Sequence, residues 1–245
     1  MGKLEKVSSE KHKHSKVLVD GVLANNANVH MSHIVLQEFA EVAQYYPIFL
    51  CKDSDTGQFQ PMALFGLTVD ENIYQSSGLW RKCYLPLKIQ SQPFYLINDV
   101  DPSGNNQQDK PSLALDVDDN RVQQQQGNSL FSQDKATAYL QQQTKILADL
   151  TQGFVLNRAF ITLLSEYDLI ESVTLDIKYN NSQECKLEGL YSINQTMLEK
   201  VPTDIQKQFE QQGYVPLMSA MLSSINHVST LIDIKNALLC STEIA

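Results

Sequence analysis

The chain has 245 residues, 42% of them hydrophobic, enough to bury a core without a disulfide or metal to hold it. A formal net charge of -9 and a pI near 5.0 speak against nucleic acid as a partner, because a phosphate-backbone binder needs clustered Lys and Arg. Cys51, Cys83, Cys185 and Cys240 lie far apart with no C-x-x-C spacing, and read as reduced, buried thiols of a cytosolic protein, not as a zinc site or a disulfide framework.

Residues 1–16 are polar and lysine-rich, which predicts a disordered basic tail ahead of a single domain over residues 17–245. His12 and His14 in that tail read as solvated. No apolar core follows the basic residues as a secretory signal requires, so the expected location is cytoplasmic, with leaderless export to the cell surface as the alternative. Apolar spacing over residues 29–44, with Ser32 as a cap, predicts a helix that ends before Pro47.

Three short apolar runs then predict strands: Ile48–Lys52, residues 62–69, and residues 84–97 with a bend near Pro93. Asp53, Asp55 and Gly57 supply hairpin-loop chemistry between the first two. Residues 98–110 form a polar break, 112–117 a short strand, and the glutamines at 123–126 a loop of biased composition. Helices are expected from Asp134 through Leu150 and over residues 154–164.

Val173, Leu175, Ile177 and Tyr179 alternate with polar residues, as do Cys185, Leu187, Gly189 and Tyr191 after an Asn-Asn-Ser turn, so a hairpin is expected. Thr203 with Gln206 has the spacing of a capping box, Gly213 is a stop, and Pro216 restarts a helix running to about Leu239. No window is read as reaching the ~20 apolar residues of a membrane span. The fold class is α+β: an antiparallel or mixed sheet with helices packed on one face and a C-terminal helical segment.

No nucleophile elbow, P-loop or dinucleotide fingerprint occurs. Asp99, Asp101, Ser103 and Asn105 reproduce half of a calcium loop, but Lys110 stands where the closing Glu belongs; Asp116, Asp118 and Asn120 lack even the glycine. His30, His33 and Glu38 have no further ligand at a motif distance, so neither metal nor cofactor is expected. The best polar group beside an aromatic is Asp70, Glu71 and Asn72 near Trp80, the only tryptophan. With Tyr74 and Tyr84 these residues are the candidate lining of a small-ligand cleft under the 70–80 loop. The competing reading is a capped turn over core aromatics.

Several stretches are familiar as wording: YYPIFL, PMALFGLTVDENIY, GLW, YLPLKIQSQPFYL, LFSQDKATAYL, LEGLYSINQTMLEKV and GYVPLMSAML. Together they resemble the SapC family over residues 37–235. The resemblance implies a soluble protein of the kind described with paracrystalline bacterial surface layers, with no catalytic residues established. It points to a non-enzymatic interaction or assembly protein, by way of a protein partner or self-association. A small-ligand binding protein is the alternative, and an enzyme would need acid and base groups assembled in the same cleft.

Overall fold

The computed structural model describes residues 2–19, 25–98 and 111–242. In place of one domain, the chain divides into two compact units, each made of two separate stretches: Asn26–Pro86 with Gln152–Ala245, and Met1–Asn25 with Leu87–Thr151.

The larger unit is organised on a five-stranded antiparallel sheet of β1 (Met31–His33), β2 (Ile48–Lys52), β3 (Phe59–Leu64), β4 (Ile170–Lys178) and β5 (Glu184–Ile193), in the order β4-β5-β2-β3-β1. The β2–β3 turn is closed by the Asp53 carboxylate, which accepts from the Thr56 N–H at 2.8 Å, with Gly57 at φ 66°. The helix expected over residues 29–44 is only partly present. Met31 and His33 pair with Leu64 and Met62, and coiling is confined to Leu36–Glu38 and Phe39–Val42. Three residues of strand are too few to display alternation, so the helical spacing of the residues that follow dominates the pattern.

The β4–β5 hairpin forms as expected, with one departure in phase. Val173 pairs with Leu190 and Leu175 with Leu187, so Glu188 and Gly189 both stand opposite Thr174. Gly189, at φ 76°, supplies the bulge that such a two-for-one count requires. The slip puts Leu190 on the face of Cys185 and Leu187 and turns Tyr191 to the other, where its ring meets Phe59 at 4.8 Å between centroids.

The two helices expected between residues 134 and 164 are one, α1 (Ala138–Glu166). Thr137, not Asp134, opens it, its Oγ1 accepting from the Leu140 N–H at 3.3 Å. Asp134, at φ 61°, belongs to the turn between the strands Phe131–Ser132 and Lys135–Ala136. Gly153 reads as a breaker, yet a Cβ there would lie 2.5 Å from the Val35 side chain: the glycine permits a close approach. One turn on, the buried Asn157 accepts from the Leu36 N–H at 3.0 Å and donates to the Ile34 carbonyl at 2.8 Å.

After β5 come α2 (Thr203–Gln211), α3 (Tyr214–Ser224) and α4 (His227–Thr242). Gly213, at φ 70°, separates the first two as expected. The Thr203–Gln206 box does not form, since Pro202 holds the cap position and Gln206 donates to the Val201 carbonyl. Helix α3 lies on β2 and β5, and the buried Ser224 hydroxyl accepts from the Ile48 N–H at 2.9 Å. By length and composition Tyr214–Ser241 is long and apolar enough to cross a bilayer, with a mean hydropathy of 1.2 in its apolar window. That corrects the expectation that no such window exists, because Ser, Thr and Asn interrupt the run without lowering its average as charges would. Of that window 22% is buried, and Met218, Met221 and Leu231 are part of the core.

In the smaller unit Leu4–Lys6 is a strand on Pro111–Asp116, which pairs in turn with Phe94–Asn98. The expected disordered tail is therefore corrected: its lysines stand on a segment whose backbone pairs with another strand. His12 is buried, accepting from the Ser8 N–H at 3.2 Å. Lys16–Val17 pairs with both Val122–Gln123 and Asn128–Ser129. The single strand expected over residues 84–97 is replaced by a helical turn, Leu87–Gln90, and the strand Phe94–Asn98. The half calcium loop at residues 99–110 lies outside the described residues.

The fold makes Asn157 a strong test. Replacement by Ala orphans two buried backbone groups, and a loss of about 2–4 kcal/mol is expected, read as a lower urea midpoint at unchanged slope. A loss under ~0.5 kcal/mol would show that the carboxamide does not hold the bend.

Candidate functional site

The six residues singled out from the sequence share a neighbourhood but divide by role. Trp80 is fully buried and Tyr74 nearly so. Tyr46 packs on Tyr74 at 4.8 Å and on Phe65 at 4.9 Å, and Phe65 on Trp80 at 5.4 Å. The rings fill one another's space, edge to face in the first two pairs. Tyr74 donates to the Tyr45 carbonyl at 2.6 Å. Tyr84 donates to the buried Glu38 carboxylate at 3.1 Å, which also accepts the Val35 N–H at 3.0 Å. Asn72, fully buried, caps the short helix Ile73–Ser76 by accepting from the Gln75 N–H and donates to the Asn26 carbonyl. These four side chains are committed to the core and to its backbone.

Asp70 is exposed, at φ 62°. Glu71 is held elsewhere, accepting from the Thr68 hydroxyl at 3.0 Å and pairing with Lys235 of α4. Tyr179 and Cys185 of the hairpin complete a small polar cluster around that pair. The Tyr179 hydroxyl is buried without a hydrogen-bond partner, and its pKa is raised by burial first, then by Cys185 and Glu71. The Cys185 thiol donates to the Leu67 carbonyl at 3.0 Å. This arrangement joins α4 and the hairpin to the 67–71 loop, with its thiol engaged by a backbone carbonyl.

The expected metal candidates also dissolve into structural roles. His33 stands edge-on to Phe154 at 6.3 Å, and Asp116 accepts from the Gly2 and Asp118 N–H groups. Among the described residues no three His, Cys, Asp or Glu side chains gather to hold a metal ion.

An open apolar feature lies at the C-terminal helices, where the sequence reading placed no candidate site. Helices α2 and α3, with the turn before them, enclose a groove of about 310 Å³. Its apolar lining is Leu198, Phe209, Met218 and Leu222, with Val215 at the mouth; Gln206, Ser219, Glu199 and Glu210 border it. On α3 the lining residues fall at helical repeats from Val215 to Leu222, a single stripe. Phe209 and Met218 are buried beneath, while Val215 remains 39% exposed. The signal in the sequence was an excess: α3 carries apolar residues on more of its circumference than one buried face uses. A second hollow, lined by Asp176, Lys178, Glu184, Cys185 and Lys186 near the hairpin end, has mixed charge.

An α+β protein with a filled aromatic core and an apolar groove between helices is thus defined by architecture and surface together. The chain belongs to the SapC family, whose family model, described simply as SapC, matches residues 7–231. No curated protein and no solved structure matches it.

Burial sets a testable pH limit on the aromatic core. It raises the phenol pKa values of Tyr46, Tyr74 and Tyr84, with Cys83 adding to the first two and Glu38 to the third. An unfolded chain releases these protons near the ordinary tyrosine value of about 10. The folded chain still holds them, so above that pH it binds more protons than the unfolded chain and stability falls as pH rises. In an alkaline titration the phenolate absorbance is expected to rise in two steps, the second coincident with loss of far-UV circular dichroism. One ordinary step with the fold intact would contradict the packing.

Proposed function

We propose that this chain is a non-enzymatic interaction protein that docks a protein partner through the groove of α2 and α3. The groove carries the reading: it is a concave apolar surface of about 310 Å³ on rigid helices, with an exposed Val215 at its mouth. The aromatic core supports it from the other side, because Trp80 packs on Phe65, Tyr74 and Asn72 bond to backbone, and Tyr84 bonds to the Glu38 carboxylate. The SapC resemblance supplies the biological frame, a part in assembling a bacterial surface layer. In that frame the protein acts inside the cell on a component before it reaches the surface.

The test is a groove variant in the native host. Val215→Asp places a carboxylate on an exposed helical position and is expected to change stability by less than ~0.5 kcal/mol. Affinity-purified wild type is expected to sediment as a complex of defined mass, and the variant as the free chain at unchanged Tm. A wild-type protein that sediments as a lone monomer from fresh lysate would count against docking altogether.

A further inference from the structure

The occupant of the groove can be named by its chemistry. Glu199 and Glu210 border the groove, and among the described residues no Lys, Arg or His lines it. Among the described residues neither carboxylate has an ion-pair partner, although exposed acids elsewhere, such as Glu188 with Lys186, do. Glu210 also sits in the last turn of α2, a turn without a basic residue, with Lys207 one turn earlier. The negative end of a helix dipole disfavours a carboxylate there and favours a cation brought to it. An apolar floor between two helices, with unpaired negative charge on the border, is the complement of one kind of surface.

We infer that the groove receives a basic amphipathic helix of another protein. Its apolar stripe lies on Leu198, Val215 and Leu222, over the buried Phe209 and Met218, and its flanking Lys or Arg side chains reach Glu199 and Glu210. The inference rests on the docking reading above and adds the partner's charge and form. A second copy of this chain fits poorly. The net charge of -9 makes copies repel, and the chain's own lysine-rich segment is committed to the strands Leu4–Lys6 and Lys16–Val17.

Two fluorescent helical peptides with the same leucine stripe, one with lysine and one with glutamate on the polar face, are the probes. The lysine peptide is expected to bind saturably, more weakly as salt rises, while the glutamate peptide does not bind. The double variant Glu199→Gln, Glu210→Gln is expected to weaken the lysine peptide about tenfold, as two partly exposed ion pairs are lost. Glu184→Gln with Glu188→Gln changes net charge equally at the distant hairpin and is expected to leave binding unchanged. Val215→Asp is expected to abolish a saturable phase. Equal loss in both double variants would reduce the effect to net charge and overturn the inference. So would equal binding of the two peptides, but with Val215→Asp still blocking both, the groove would stand as a docking site for a partner of other charge. Failure of both peptides, while Val215→Asp still releases the native partner, would overturn the basic helix and leave docking intact.

Discussion

The architecture of the larger unit depends on how closely α1 approaches the bend that follows β1. Two positions on one face of that helix make the approach. Gly153 removes the side chain that would strike Val35, and Asn157 supplies a carboxamide to the donor of Leu36 and the acceptor of Ile34. A bend in the chain leaves backbone groups without ladder partners, and burying them unpaired costs about 1–3 kcal/mol each. With the carboxamide in place, Phe39 can pack on Phe160 of the same helix. Phe160 in turn meets Tyr214 at the start of α3, and α3 lies on the sheet. The position of the helices that form the groove thus follows from one helix held against one bend.

Elements whose periodicity persisted over several residues were legible in the sequence. The β4–β5 hairpin alternates for long enough to be read, and the Asp53 turn carries its own hydrogen-bond chemistry. What escaped was set by tertiary partners. β1 is three residues long and exists because β3 offers it an edge. Gly153 looks like punctuation until Val35 is seen against it. The N-terminal segment reads as solvated because its lysines are, while its backbone pairs with a strand more than a hundred residues away. Tyr191 was assigned to the wrong face because a bulge at Gly189 costs the pattern one beat.

The site divides in the same way. The aromatic-rich stretch drew attention because large rings and acids occur together there, yet Trp80, Tyr74 and Tyr84 are large because a core must be filled. Glu71, read as part of a cleft beside Trp80, pairs with Lys235 of α4, a pairing that no local spacing encodes. The groove was invisible for the opposite reason. Its residues are ordinary helix apolars, and only their arrangement on two adjoining helices makes a concave surface of them. Composition reports how much apolar surface a chain has, not which part remains uncovered.

The interleaving of the two units along the chain has a consequence for biosynthesis. Because each unit closes only with a later stretch, the smaller is whole once Thr151 has been added and the larger only near the end of synthesis. Strand β2 leaves the ribosome with Ile48, Phe49 and Leu50 in place, while its neighbour Tyr191 on β5 is still far from being translated. Until then an apolar edge is open to whatever else has edges. The larger unit cannot fold segment by segment as it emerges; its open edge has to be kept apart from other chains until β5 exists.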